Sequence, residues 1–319
     1  MDSSRIELGE LSVDFAPGGV PYSVLLPPGY DSGGPYPLVL FLYGGGGSRQ
    51  SLVDAKPVFD RCWSDGSAPP VVLACATVGE ISYYLDHPDG RYRWERFITG
   101  DFPRHLRATY KVRPDRASTV ILGISMGGYG GLKMAFKRPE LFGAVAALEP
   151  TTEPGFRATD AGERNHLYFI GGGPEELVGP KRDPALFEAN NPATCARDNA
   201  RAIREHDLAI YLDAADADAL NVHDGAEFIH RALWDLDISH EYHLVRGADH
   251  VGPSVVPRLR EAFVWLGTEL RRAQEGGTQT DPAIRALREH LAQARAAAAE
   301  KDPTTLRRLG VLPPSRQVP

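Results

Sequence analysis

The strongest constraint in this 319-residue sequence is a set of short runs that are apolar at every position. They are Leu38-Val-Leu-Phe-Leu-Tyr43, Val71-Val-Leu-Ala-Cys75, Thr119-Val-Ile-Leu-Gly-Ile124, Ala144-Val-Ala-Ala-Leu148 and Leu208-Ala-Ile-Tyr-Leu212. A strand with one wet face alternates apolar and polar residues. A run without alternation needs cover on both faces, as parallel strands have beneath two layers of helices. Tyr242-His-Leu-Val245 is shorter and belongs nearer an edge. Helical spacing fills the intervals. Phe228, Ile229, Ala232, Leu233 and Leu236 mark one face of a helix beginning near Asn221, and Leu259, Phe263, Leu266 and Leu270 mark another. Strand and helix alternate from about residue 37 to 272, which predicts an α/β fold with a mostly parallel central sheet in a single domain. Ile6 to Phe15 and Pro21 to Leu26, with Pro-Gly turns between and after them, predict an antiparallel start to that sheet.

The domain is expected to occupy residues 1–272. Within it, residues 151–206 are rich in Gly, Pro, Asn and charge and hold no sustained period. They read as an excursion over the carboxyl edge of the sheet, where open α/β folds bind ligands. Residues 273–280 have the composition of a flexible linker. In the tail, 281–319, Asp281 and Pro282 supply an N-cap and a first-turn proline, and Ile284, Leu287, Leu291, Ala294 and Ala298 draw a narrow apolar stripe. A lone helix this short is marginal in water and should pack on something. Its own domain and a second copy of the chain, in a homodimer, both remain open.

Asp and Glu outnumber Lys and Arg by 42 to 35, a formal charge of −7. That balance argues against nucleic acid or an anionic membrane as the main partner. Cys62, Cys75 and Cys195 lie far apart, with no ligand spacing and an odd count, so neither a zinc site nor a disulfide framework is expected. The N-terminal residues lack the basic start and apolar run of a signal peptide, and no apolar stretch approaches a membrane span. A cytoplasmic protein is expected.

Gly123-Ile-Ser125-Met-Gly127 follows directly on the apolar run Thr119–Ile124 and precedes a helical segment, Met126 to about Phe136. A sharp strand-to-helix turn of this kind projects a serine Oγ above the sheet edge, with glycines on either side allowing close backbone packing. A serine hydroxyl is a poor nucleophile at neutral pH unless a base stands beside it. In the α/β-hydrolase fold, the one with such an elbow, the partners follow in the order acid and then histidine, each after a later strand. Of ten histidines, His250 is best placed, in the loop Arg246-Gly-Ala-Asp-His-Val-Gly-Pro253 between the last strand and the last core helix. The acid should follow the run Leu208–Leu212, where Asp213, Asp216 and Asp218 compete. Its task is to reach the imidazole from the strand tip, which favours Asp218 over Asp216 and leaves Asp213 to the strand end.

An oxyanion hole needs two donors aimed at developing charge. One is expected from the backbone N–H of Met126. The other is expected from Tyr43-Gly-Gly-Gly-Gly47, where glycine lets the backbone turn its N–H groups inward. Gly45 is the expected donor, with Gly44 and Gly46 as alternatives. No GxxxxGK[ST] accompanies this glycine run, so a nucleotide site is not expected. The chemistry calls for no cofactor and no metal. Tyr43, Tyr84, Trp94 and His166 are further candidates for contact with substrate.

The stretch from Gly123 to Leu148, which opens Gly-Ile-Ser-Met-Gly-Gly-Tyr-Gly-Gly, resembles the elbow of the esterase D-type family of α/β-hydrolases. That family includes S-formylglutathione hydrolases, feruloyl, acetylxylan and tributyrin-type esterases, and mycolyltransferases. Tyr22-Ser-Val-Leu-Leu-Pro-Pro-Gly-Tyr30, the segment Tyr84 to Phe97, and Gly247-Ala-Asp-His250 are similar to its other landmarks, so the resemblance spans roughly residues 20–270. It implies a metal-free serine carboxylesterase acting on short-chain, aryl or sugar esters of small molecules, with its acid at Asp218. An acyltransferase using the same triad and a non-catalytic binding protein on the same fold are the alternatives. The family's usual His-Gly opening of the oxyanion loop is Tyr43-Gly44 here, which changes the wall of the pocket. The tail after residue 272 has no counterpart in it.

Overall fold

A computed structural model describes residues 3–167, 173–275 and 282–313, and in it the apolar runs become the middle of an eight-stranded sheet. The strands are β1 (Arg5–Val13), β2 (Ala16–Leu26), β3 (Leu38–Leu42), β4 (Val72–Ala76), β5 (Thr119–Ile124), β6 (Ala144–Leu148), β7 (Ala209–Ala215) and β8 (Glu241–Val245), in the order β1-β2-β4-β3-β5-β6-β7-β8. β1 and β2 form an antiparallel hairpin, β2 pairs antiparallel with β4, and every pairing from β4 to β8 is parallel. The architecture is that of an α/β-hydrolase.

Each position of β3, β4 and β6 is buried, as strands sandwiched between helices must be. β8 closes the sheet at one edge and is only partly covered. On one face, Phe41 of β3 meets Phe59 of the helix Gln50–Ser64, and Phe59 meets Phe263 of the helix Val255–Gln274 edge-on, with 4.7 Å between ring centroids. All three rings are buried, each worth roughly 2–3 kcal/mol of hydrophobic stabilisation. Leu259, Phe263, Leu266 and Leu270 all point into this core, which is why the 3.6-residue period was visible.

One strand boundary moved, and one segment holds more regular structure than its pattern displays. β7 runs on through Asp213 to Ala215, because Ala214 and Ala215 are buried and pair with Leu244 and Val245 of β8. The excursion over residues 151–206 is not irregular throughout. It contains the short helices Pro184–Asn190, Pro192–Asp198 and Ala200–Glu205. The first is capped by Asp183, which accepts from the N–H groups of Ala185 and Leu186. Each is two turns or less, too short to display a period. Pro192–Asp198 buries Ala193, Cys195 and Ala196 against the helix Met126–Lys137.

The chain divides into two compact units, Met1–Ala273 and Gln274–Pro319. The second contains the helices Pro282–Ala299 and Pro303–Arg308, the latter capped by Asp302 through the N–H groups of Thr304 and Thr305. Leu287 and Leu291 of the expected stripe are exposed. Asp281, most of the linker and the side chain of Ile284 lie outside the described residues. Among the described residues, no helix is long and apolar enough to cross a membrane.

Candidate active site

Ser125 stands between the end of β5 and the start of the helix Met126–Lys137, with φ 55° and ψ −118°. This conformation is costly for a residue with a Cβ and persists only where its surroundings impose it. Here the Ser125 N–H donates to Leu148 O at 2.9 Å, and its carbonyl accepts from Tyr129 and Thr151. The turn is as tight as the glycines permit. A Cβ on Gly127 would lie 2.0 Å from the carbonyl oxygen of Leu42, and one on Gly123 would lie 2.2 Å from that of Gly127. Neither obstacle can rotate away. Gly127→Ala should therefore lose more than about 3 kcal/mol of unfolding free energy in a urea titration, since β3 and the elbow would have to part.

The Ser125 hydroxyl donates to His250 Nε2 at 2.8 Å, and His250 Nδ1 faces Asp218 Oδ2 at 2.7 Å. The carboxylate fixes the proton on Nδ1 and leaves Nε2 free to accept. Asp218 is buried and is itself held by the N–H of Leu220, 2.7 Å from Oδ1. The three competing aspartates thus have separate tasks. Asp216 accepts from the N–H of Gly247 at 2.6 Å and shapes the histidine loop. Asp213 stays within β7, buried against Arg258. Asp249 accepts from the N–H groups of Ala219 and His250, and Ala217 N–H donates to Ala248 O, so the acid and histidine loops are tied to each other directly.

In the glycine loop, Gly46 N–H is spent on Glu80 O and Gly47 N–H on Gly44 O. The N–H groups of Gly44 and Gly45 have no such backbone acceptor among the described residues. Gly44 packs directly on the serine, where an added Cβ would stand 3.1 Å from Ser125 Cβ. Met126 is the first residue of its helix, so its N–H has no intrahelical acceptor and lies at the positive end of the helix dipole.

Ser125 and His250 open into a cavity of about 850 Å³, lined among others by Gly45, Ile81, Tyr83, Leu167, Val178 and Val255. The expected pocket residues need correction. Tyr43 is buried, its hydroxyl donating to Gly79 O and accepting from Val78 N–H, so it supports the glycine loop from behind. Tyr84 is also buried, donating to Tyr43 O at 3.1 Å. Trp94 packs among Phe15, Tyr92 and Phe97. Neither these three nor His166 is among the lining residues. The aromatic wall is Tyr83, one residue from the expected Tyr84. Gly130 of the elbow helix admits the Tyr84 ring, and the buried Lys133 ammonium donates to the carbonyls of Tyr83 and Tyr84 while pairing with Glu95.

Two further residues were missed. Glu149, directly after β6, is buried and lines the cavity, and Arg258 lies in the last core helix. Arg258 donates to Asp213 through Nε at 2.9 Å, to Glu149 Oε2 at 2.7 Å and to the carbonyl of Asp249 at 3.3 Å. One guanidinium thereby joins the tips of β6 and β7 to the histidine loop. Burial pushes the Glu149 carboxyl up to about 7, against the pull of Arg258 and His250. Burial disfavours the His250 cation, but the Asp218 hydrogen bond and the Glu149 charge outweigh it and raise its pKa above the usual value. A carboxylate at the carboxyl end of a parallel strand was the available signal for Glu149.

Ligand atoms of Glu149, Asp218 and His250 lie within 4.8 Å of one another, a spacing a divalent cation can span. Each is already committed, His250 and Asp218 to each other and Glu149 to a fixed guanidinium. A cation there would meet the positive charge of Arg258, so the set fits a charge network better than a metal cage.

The family model described as Putative esterase matches residues 18–252. The diacylglycerol acyltransferase/mycolyltransferase Ag85A of Mycobacterium tuberculosis is 29% identical over 153 residues, which are 43% of this chain and 41% of that protein. An esterase of the same organism is 26% identical over 275 residues, 77% of this chain and 58% of that one. The chain thus spans about half the length of these curated relatives. An S-formylglutathione hydrolase from Agrobacterium tumefaciens superposes with a TM-score of 0.67 at 17% identity, covering 85% of this chain and 97% of its own.

Proposed function

Since the chain belongs to the esterase family matched over residues 18–252, we propose that it is a serine carboxylesterase working through an acyl-enzyme. The observation that carries this reading is the unbroken chain from Ser125 Oγ through His250 to Asp218, 2.8 and 2.7 Å, at the wall of the cavity. Ser125 Oγ attacks the ester carbonyl while its proton passes to His250 Nε2. Asp218 holds the ring and stabilises the imidazolium. The N–H groups of Met126 and Gly45, or its neighbour Gly44, receive the oxyanion. Collapse of the tetrahedral intermediate expels the alcohol, which takes the proton from Nε2. Water then repeats the sequence and releases the acid.

The substrates we propose are short-chain or aryl and sugar esters of small molecules. A long alkyl chain would lie against the Glu149 carboxyl, which lines the cavity and spends Oε2 on Arg258. Covering a polar group without a partner costs about 1–3 kcal/mol. Hydrolysis of p-nitrophenyl esters from acetate to decanoate should therefore give kcat/KM at least about 10-fold higher for acetate and butyrate than for decanoate. A maximum at decanoate would sink this assignment.

Acyl transfer to a bound alcohol is the second reading, favoured by the likeness to Ag85A, a named acyltransferase. Product analysis with candidate alcohols and sugars separates the two, because only transfer yields a new ester.

A further inference from the structure

We propose that Glu149 is a positioning residue for this chemistry, a second carboxylate that stabilises the imidazolium formed at His250 while Asp218 holds the ring. The inference rests on the esterase reading of Ser125 and His250 and adds a residue that a Ser-His-Asp triad does not require.

Topology puts Glu149 where it can act. β6 lies between β5, which ends at the nucleophile, and β7, which leads to Asp218. Glu149 is the first residue past β6 and adopts φ 37°, a left-handed backbone that residues with a Cβ avoid. Its N–H is anchored to Asp213 O at 2.7 Å. The strained turn leaves its carboxyl on the cavity wall, with an oxygen within 4.8 Å of a His250 ring nitrogen and of an Asp218 oxygen. Glu149 is 1% exposed, so little water screens it from the imidazole.

A bland alternative is that Glu149 serves only to neutralise Arg258. Asp213 already does so, accepting from Nε at 2.9 and 3.0 Å and again from the second terminal nitrogen. The guanidinium instead lets Glu149 and Asp218 share one small volume despite their like charges. The charged groups facing His250 are Asp218 from the loop after β7, Glu149 from β6, Arg258 from the last core helix and Asp249 from its own loop. Those facing Glu149 are Arg258, His250, Asp213 and Asp218. Glu149 and His250 both hold protons more tightly than usual. During attack the Ser125 proton moves to His250 Nε2 and from there to the departing alcohol. None passes to Glu149, which acts through its charge.

The test is the pH dependence of kcat/KM for p-nitrophenyl acetate in wild type, Glu149→Gln and Glu149→Asp, with circular dichroism to verify folding. Removing the carboxylate charge favours the neutral imidazole. The acid limb of Glu149→Gln should therefore move to lower pH by about half a pH unit or more. Its kcat should fall about 10-fold with KM within about twofold. Glu149→Asp, with its carboxyl set back by one methylene, should move part of the way. Asp218→Asn should remain at least about 10-fold more active than Asp218→Asn/Glu149→Gln. An unmoved acid limb in both Glu149 variants, an effect on KM alone, or a double variant no slower than Asp218→Asn would each overturn the proposal. Fluorophosphonate labelling of Ser125 against pH reads the same ionisation without an ester. Failure to label wild type would sink the esterase reading itself and this proposal with it, whereas labelling with an unmoved limb would sink only the role of Glu149.

Discussion

Ser125→Ala and His250→Ala are each expected to lower kcat by about four to six orders of magnitude, with the double variant scarcely worse than either. The expectation follows from how the two groups depend on each other. The hydroxyl is nucleophilic only as its proton leaves for Nε2, 2.8 Å away, and Nε2 has no other proton to take in the acylation step. Removing either group ends the same event, so the losses do not add. The residual rate should come from the Met126 and glycine-loop donors, which either substitution leaves in place. Stability should change little in Ser125→Ala, because the elbow is held by backbone hydrogen bonds and glycine packing rather than by the hydroxyl. Single-turnover kinetics on folded variants would check this. A Ser125→Ala enzyme with more than about a hundredth of wild-type turnover would mean that a different nucleophile operates.

The parts of this site legible in the sequence are those where local chemistry allows one arrangement. Thr119–Ile124 is apolar throughout and flanked by glycines that a sharp turn needs, so the elbow was evident from nine residues. His250 followed from its order and its loop, whereas the same reasoning favoured Asp218 but left Asp216 open. The pocket wall was not legible, for a different reason. Tyr83 and Tyr84 are adjacent, and both adopt positive φ. Which of them lines the cavity is decided by Gly130, which makes room for the Tyr84 ring, and by Lys133, which holds both carbonyls from the elbow helix. That choice depends on partners more than forty residues away. The same holds for Glu149 and Arg258, which are 109 residues apart and meet only because β6 neighbours β7 and Arg258 reaches both strands from the helix Val255–Gln274. Short-range pattern reports which face of an element is buried. It does not report which charges the topology will bring together.

That convergence underlies the largest stability effect to be expected. Arg258→Ala should destabilise the fold by about 3–5 kcal/mol at neutral pH, a large part of a typical domain's margin. Arg258, Asp213 and Glu149 are each 2% exposed or less, so removing the guanidinium strands two carboxyls where water cannot replace it. The pH dependence has a definite sign. Glu149 already holds its proton up to about 7, well above its ordinary 4.5, and the Arg258 charge pulls that value down. Without Arg258 it must climb further. A carboxyl with a raised folded pKa contributes its full stability below the unfolded value and loses it as pH rises through the folded one. The deficit of Arg258→Ala should therefore be smaller at pH 5 and should widen through pH 7 to 8 in urea titrations. Adding Glu149→Gln to Arg258→Ala should recover part of the loss at pH 8 and little at pH 5. A deficit that is the same at both ends would assign the cost to lost packing around the arginine stem, leaving the buried charges below the triad with no measurable role in holding its loops together.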